Sequence, residues 1–127
     1  MKIEDMISRI DRLNPNDIDD SEKREWIANL ELMLLHEVLH THVLNGDEQR
    51  KADSMTEEGI KADGYELLVK PPYDDIYRHY VDVQIAELNV DTEAYNNKVP
   101  MYNNALLTFK NWFNRTHTPK AAVKHRF

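Results

Sequence analysis

Hydrophobic and polar positions alternate with a helical period in four separate stretches of the chain. In the first, apolar residues three and four positions apart occupy one face: Ile3, Met6, Ile7 and Ile10. The motif LNPND follows, in which Pro15 disfavours a helical residue before it and Asn and Asp favour turns. The pattern therefore predicts a first helix over residues 1–13 and a turn after it.

The second helical stretch is predicted to run from about Ser21 to about Val43. Asp19 or Asp20 can cap the N–H groups at its start, and Glu22 stands three positions after Asp19, as in a capping box. The dipeptide NG at 45 and 46 is a C-terminal stop signal. The apolar stripe of this helix is Trp26, Leu30, Met33, Leu34 and Leu44, with Ile27 and Val38 on the flank. We expect its first two members, Trp26 and Leu30, to anchor the helix in the core.

The middle of the chain has a weaker pattern. Residues 45–64 show almost no apolar periodicity, which predicts a long polar connection with at most a short helical turn. The apolar run YELLV at 65–69 is β-like. We expect an extended segment that crosses the bundle there, with one short β-hairpin as the alternative.

Two more amphipathic stretches follow. Pro71 and Pro72 end the extended run and open a third helix, one side of which carries Tyr73, Ile76, Tyr77, Tyr80, Gln84 and Leu88. The last helix begins near Asp91 and Thr92, and its apolar residues are spaced alternately four and three: Tyr95, Val99, Tyr102, Leu106, Phe109 and Phe113. Pro100 interrupts this stripe, and we expect a kink or a break because an interior Pro removes a helical N–H. The predicted fold is mainly α, a small bundle of about four helices with a long C-terminal helix.

Composition fits long solvated helices better than sheets. Charged residues make up 31% of the 127 residues and only 3 are Gly, and a chain of this length forms one domain with a modest core. The absence of Cys excludes a disulfide framework and a thiolate metal site. The N-terminal stretch MKIEDMISRIDRL lacks the apolar core of a signal peptide, and no stretch approaches the roughly 18 apolar residues of a membrane span. We therefore expect no membrane partner.

Charge is unevenly distributed along the chain, whose formal net charge is −7. Residues 105–127 carry five basic and no acidic residues, a net +5, whereas the rest carries 11 basic and 23 acidic residues, a net −12. A basic end on an acidic body is typical of an interaction tail, although a solvated terminus without a partner has the same composition. We expect a single helical domain over 1–117 and a mobile basic tail over 118–127.

The motif His36-Glu37-Val38-Leu39-His40 matches H-E-x-x-H. On a helix, two His residues four apart share a face and can hold one Zn²⁺, while the Glu acts as general base on the metal-bound water. The three-His extension of this motif needs Gly at 43 and His at 46, where this chain has Val43 and Gly46. That version of the zinc site is therefore excluded.

A third ligand from elsewhere would have to complete the site. Glu57, Glu58 and Glu66 are candidates by residue type, but they lie in or beside the weakly patterned stretch, a poor support for a rigid site. A helical wheel places Glu37 near the core-facing side, buried at an interface or bonded to a neighbour, with the two His residues half-exposed at the polar edge. We reject these three motif residues as a catalytic or metal site, and we expect no enzymatic activity and no cofactor.

Several motifs together resemble a known protein family. They are NPND with SEKREWIANLELMLLHEV, then LLVKPPYDDIYRHYVDVQIAELN, then EAYNNKVPMYNNALLTFKNWFNRTH. The most specific pieces are Pro72-Tyr73-Asp74 with Ile76-Tyr77 and Tyr80, Tyr95-Asn96-Asn97, and the stretch WFNRTH at 112–117. Over roughly residues 3–119, the chain is similar to the small head–tail connector proteins, also termed adaptor or head-completion proteins, of tailed bacteriophages and prophages. Pro100 and the 45–64 connection depart from the family pattern.

The resemblance implies a structural virion protein, assembled in the cytoplasm of the bacterial host. Subunits of this family form a ring of about twelve copies between the portal and the tail. Double-stranded DNA passes through the ring without sequence-specific binding. The implied partners are the portal protein ring, a tail or stopper protein and other copies of the chain. We expect the basic tail to dock on an acidic surface of the portal or of a neighbouring copy through Arg115, Lys120, Lys124, Arg126 and Phe127.

Two functions of other classes remain open alternatives. One is a small zinc-dependent hydrolase that uses His36-Glu37-x-x-His40, and the other is a helical binding module of unspecified partner. Metal analysis of protein purified without a His tag separates the hydrolase from the others. A size measurement with and without portal protein separates the connector from the binding module.

Overall fold

A computed structural model describes residues 1–120, and over these residues the chain is mainly helical. Its α-helices are α1 Ile3–Leu13, α2 Asp20–Glu37, α3 Gly46–Ser54, α4 Glu57–Lys61, α5 Asp75–Leu88 and α6 Thr92–Thr116, with a short 3-10 helix over Leu39–Thr41. The predicted small helical bundle with a long C-terminal helix is confirmed. No helix within residues 1–120 is both long enough and apolar enough to cross a membrane.

The centre of the core is formed by α1, α2 and α5. α1 buries the four apolar residues of its predicted face: Ile3, Met6, Ile7 and Ile10. Trp26 and Leu30 of α2 are buried, so the prediction that they anchor this helix is confirmed. Ile76, Tyr77 and Val81 of α5 complete the same cluster. Burial of a row of apolar side chains from each helix is the main force that holds three short helices together.

Residues 65–69, termed the crossing segment, are not helical; they pair with the N-terminal residues at Glu66 and bend at Leu68 and Val69. The Ile3 amide donates to the Tyr65 carbonyl (2.9 Å), and the Leu67 amide donates to the Met1 carbonyl (3.0 Å). Leu67 and Val69 point inward and are fully buried. The pairing with the N-terminal residues is a single antiparallel bridge between Lys2 and Glu66, so the β-hairpin alternative does not occur here.

The second helix ends earlier than predicted, at Glu37 instead of Val43. Thr41 Oγ1 donates to the Val38 carbonyl (2.8 Å), and Nδ1 of His42 lies 2.6 Å from the same oxygen. The side chains of Thr41 and His42 thus contact the Val38 carbonyl oxygen at the helix end, and the backbone continues as the 3-10 helix. His42 itself adopts an extended backbone conformation.

The polar connection over 45–64 was predicted to hold at most a short helical turn, and this prediction is wrong. α3 has 9 residues and α4 has 5. Asn45 and Glu48 form a reciprocal capping box at the start of α3, and the Thr56 side chain accepts from the Gly59 amide at the start of α4. These caps satisfy the exposed N–H groups of helices whose apolar content is too small to produce a periodic pattern.

Two boundaries near proline residues also differ from the prediction. α5 begins at Asp75, not at the Pro71-Pro72 pair, because a residue that precedes proline avoids the helical region. α6 is continuous through Pro100, so of the predicted kink or break, the break does not occur. Pro100 is exposed, and the loss of one N–H donor on the solvent side is offset by the packing of α6 against α5.

The chain beyond α6 turns back onto the end of α2. The Val43 amide donates to the Thr118 carbonyl (2.8 Å), and the Lys120 amide donates to the Thr41 carbonyl (2.8 Å). These bonds flank an antiparallel bridge between His42 and Pro119. The first three residues of the predicted tail, 118–120, therefore pair with the body. The remainder of the predicted tail, 121–127, lies outside the described residues.

Candidate functional site

The two histidines of the H-E-x-x-H motif lie side by side on the surface. His36 is in the last turn of α2 and His40 is in the 3-10 helix, and their ring centroids are 5.4 Å apart. Both are exposed, not half-exposed as predicted. Glu37 is exposed as well and lines a small pocket with Lys110 and Asn114 of α6, so its predicted burial is wrong. Glu37 is the last residue of α2 and is exposed, although its neighbours Leu34, Leu35 and Val38 are buried in the core.

No third ligand joins these histidines. Within residues 1–120, no group of three or more His, Asp or Glu side chains is arranged to hold a metal ion. The carboxylate of Glu57 pairs with Lys61 (2.9 Å), and that of Glu66 pairs with the N-terminal amine (3.2 Å). Glu58, the third candidate, is exposed on α4. Among the described residues, the two histidines of the motif lie together, and none of the three candidate third ligands lies with them.

A buried carboxyl group, absent from the predicted sites, holds the crossing segment in place. Glu31 of α2 is fully buried and accepts hydrogen bonds from the Tyr65 hydroxyl (2.7 Å), the Leu68 amide (3.0 Å) and the Tyr77 hydroxyl. The Val69 amide donates in turn to the Tyr77 hydroxyl (2.9 Å). Burial raises the pKa of Glu31, and the hydrogen bonds from Tyr77, Tyr65 and the Leu68 amide oppose that rise.

A group of aromatic side chains ties the end of α6 to α2 and α3. The ring of His117 stacks on Phe113 at a centroid distance of 3.8 Å, and its Nε2 lies 2.7 Å from Glu48 Oε2. On another side of Phe113, the buried His42 ring makes an edge contact at 4.9 Å. Nε2 of His42 lies 2.6 Å from Asn114 Oδ1. These contacts fix the position from which residues 118–120 continue.

An apolar groove of about 260 Å³ opens between α3, the crossing segment and α6. Its floor consists of Leu39, Leu68, Phe109, Trp112 and Phe113, and its rim consists of Asp47, Glu48, Lys51 and Lys70. Burial lowers the pKa of Lys51, whose Nζ lies over the Tyr65 ring at 4.4 Å from the centroid. The rim carries both signs of charge and the floor is apolar, so the residues that line the groove do not form an arrangement typical of a catalytic site.

The turn between α5 and α6 presents apolar and acidic side chains to solvent. Val90 is 84% exposed and has a positive φ of 52°, a region that costs a β-branched residue about 1–3 kcal/mol. Leu88 is 56% exposed, and Tyr95, near the start of α6, is 38% exposed and lines a shallow pocket with Val90. Three exposed acids surround these residues: Glu87, Asp91 and Glu93. We refer to these six residues as the α5–α6 tip.

The predicted partner-binding residues are only partly described. Arg115 is exposed in the last turn of α6, and Lys120 is exposed at the end of the paired segment. The structure therefore places both at the end of α6 remote from the α5–α6 tip. Lys124, Arg126 and Phe127 lie outside the described residues.

Comparison with protein-family models, with curated proteins and with solved structures finds no match for this chain.

Proposed function

We propose that this chain is a structural subunit of the head–tail connector of a tailed bacteriophage or prophage. The observation that carries the proposal is the exposure of α6. Of its 25 residues, only Phe109 and Phe113 are buried. Met101 is 44% exposed and Leu107 is 56% exposed. A long helix that leaves apolar side chains in solvent suits packing against other protein subunits.

The distribution of charge supports contacts between copies of the chain. The α5–α6 tip is acidic and apolar, whereas the other end of α6 carries Lys110, Arg115 and Lys120 without an acidic residue after Asp91 and Glu93. With 25 residues at about 1.5 Å each, the two ends of α6 are separated by roughly 37 Å. Contact between unlike ends of successive copies is heterologous, and such contacts close into rings when the rotation permits.

The net charge of the body supports passage of DNA through such a ring. Residues 1–104 carry 11 basic and 23 acidic residues. Lys and Arg on a channel wall would gain affinity for phosphates by counterion release, whereas an acidic wall lets a polyanion slide. We propose that double-stranded DNA passes through the ring without sequence-specific binding.

The remaining parts of the proposal follow from the family resemblance. The ring of about twelve copies docks on the portal and is followed by a tail or stopper protein. The subunit is assembled in the host cytoplasm, becomes part of the virion, and acts without enzymatic activity or a cofactor. The helical bundle, the specific motifs PPYDDIY and WFNRTH and the exposed α6 support this assignment.

Co-expression with the portal protein of the same phage tests the proposal. Native mass spectrometry and negative-stain microscopy should detect rings of this chain attached to portal rings. Met101→Glu combined with Leu107→Glu should abolish attachment, because charge is introduced on the exposed face of α6. Gln49→Glu combined with Ser54→Glu adds the same charge on α3 and should leave rings intact.

A chain that stays monomeric beside intact portal rings contradicts the connector function. It would favour the helical binding module, whose partner is then sought among other proteins.

A further inference from the structure

The surface histidine pair is a feature that the proposed function does not use. His36 and His40 have ring centroids 5.4 Å apart and ring planes inclined by 67°. Both side chains are exposed, so an ion can reach the pair from solvent.

The separation of the two rings matches the spacing that one metal ion imposes on two imidazole ligands. With Zn–N distances of about 2.0–2.1 Å and a tetrahedral angle at the metal, the centroids of two ligating rings lie about 5.2 Å apart. The observed 5.4 Å is close to this value. The separation of the rings therefore permits one nitrogen of each to ligate a shared ion.

We propose that His36 and His40 form a solvent-facing, two-ligand site for a divalent transition-metal ion of the Zn²⁺, Ni²⁺ and Cu²⁺ class. Imidazole nitrogen suits these ions, whereas Mg²⁺ and Ca²⁺ take oxygen ligands. Within residues 1–120, no third His, Asp or Glu is grouped with the pair. Water or a donor from a second molecule fills the remaining coordination positions.

From the sequence we expected that this motif binds no metal, because a third protein ligand is lacking. The proposed site revises that expectation: it uses the two histidines alone and is not the catalytic centre that the H-E-x-x-H motif implies. Glu37 lines a pocket with Thr41, His42, Lys110 and Asn114, and the two-ligand site makes no use of its carboxylate. The inference is independent of the connector function, because it concerns only the end of α2 and the 3-10 helix.

Two general properties of imidazole ligation shape the expected binding. Affinity should follow the usual order for nitrogen sites, with Cu²⁺ bound more tightly than Ni²⁺ or Zn²⁺. Metal ions compete with protons for imidazole nitrogen, so binding should be weaker at lower pH.

Isothermal titration calorimetry on the untagged full chain with CuCl₂, NiCl₂, ZnCl₂ and MgCl₂ tests the proposal. We expect one transition-metal ion per chain and no binding of Mg²⁺. His36→Ala and His40→Ala should each weaken binding about tenfold or more, because each removes one of the two protein ligands. Glu37→Gln and His117→Gln should leave affinity unchanged. Metal-free unfolding midpoints of His36→Ala, His40→Ala and Glu37→Gln should equal that of the wild type, because these side chains are exposed.

A second measurement does not depend on variants. Substoichiometric Cu²⁺ should selectively broaden the NMR signals of the His36 and His40 rings. His125→Ala is the control for binding at a histidine outside the described residues. Wild-type affinity in either single alanine variant, loss of binding in His125→Ala, or no binding below about 1 mM metal would each overturn the proposal.

Discussion

At the scale of single residues, Glu31 shows how one buried polar group can position a whole segment. It stands in an apolar row of α2, four positions after Ile27 and four before Leu35, and both of these neighbours are buried. Its carboxylate accepts from donors on α5 and on the crossing segment. A buried acceptor with three donors is costly to remove, because each donor would lose its partner.

Glu31 makes the stability of the protein depend on pH. Because burial holds its folded-state pKa above the ordinary 4.5, the folded protein binds the proton more tightly than the unfolded chain does. Its contribution is fully present below about pH 4.5 and is lost as the pH rises through the raised pKa. In Glu31→Gln, this loss of unfolding free energy with rising pH should be absent.

Urea denaturation of wild type and Glu31→Gln between about pH 4 and about pH 8 measures the difference. Glu25→Gln, at an exposed position of the same helix, is the matched control and should follow the wild type. Equal pH dependence of wild type and Glu31→Gln would show that Glu31 keeps its ordinary pKa in the folded protein.

Trp26 provides a prediction about the core itself. Its side chain is buried, and Trp26→Ala should lower the free energy of unfolding by about 3–5 kcal/mol through lost burial and the cavity left behind. Trp112 is only half-buried, so Trp112→Ala should cost clearly less. Denaturant midpoints measure both effects. An unchanged midpoint in Trp26→Ala would mean that Trp26 serves a contact with another subunit and not the core.

These residues also mark how far the sequence allows prediction. Trp26 and Leu30 were correctly assigned to the core, because an apolar stripe at helical spacing has one stable solution. Glu31 could have been found from its place in the row of Ile27 and Leu35, but its partners Tyr65 and Tyr77 lie far away in the chain. The exposure of Glu37 could not be predicted, because it depends on where the helix ends.

At the scale of elements, helices with long apolar faces were predicted and helices held by caps were not. Apolar periodicity predicts α1 and α6. It does not predict α3 and α4, because each of them buries only one residue, Ala52 in α3 and Ile60 in α4. Asn45 with Glu48 and Thr56 with Gly59 were visible as capping signals before the structure, and they identify the two helices that periodicity missed.

Pro100 gives a prediction for α6. A proline nine positions into a helix removes one backbone hydrogen bond, and Pro is about 3 kcal/mol less favourable than Ala in a helix interior. Pro100 is exposed, so Pro100→Ala should raise the free energy of unfolding by roughly 2 kcal/mol after the gain in unfolded-state entropy is subtracted. Thermal and urea unfolding measure the change.

Asn104→Ala, at another exposed position of α6, separates general helix propensity from the effect of proline. It should stabilise by only about 0.5 kcal/mol. Destabilisation by Pro100→Ala would show instead that the proline sets a bend on which the packing of α6 against α5 depends.

At the scale of the whole molecule, the fold separates an acidic tip from a basic end. The α5–α6 tip lies at the start of α6. The end of α6 contacts residues 41–43 through Phe113 and the pairing of 118–120, and contacts α3 through His117 and Glu48. The basic end was predicted from the sequence, because the count of charged residues along the chain is enough to locate it. The sequence did not predict the pairing, which depends on His42 leaving the helix early.

The last prediction concerns two truncations that the pairing makes different. Deletion of residues 121–127 retains both backbone hydrogen bonds between 41–43 and 118–120, and should change stability by less than about 0.5 kcal/mol. Deletion of 118–127 removes both bonds and should cost about 1–2 kcal/mol.

Both deletions should weaken attachment to the portal ring, because Lys124 and Arg126 are lost. They should also reduce the salt dependence of attachment, since the Debye length falls from about 10 Å at 0.1 M to about 3 Å at 1 M salt. Full-length Lys124→Gln with Arg126→Gln should reproduce the weaker attachment at wild-type stability. Unfolding of the shorter deletion, or portal binding with unaltered affinity and salt dependence, would show that the basic end does not act as a docking segment.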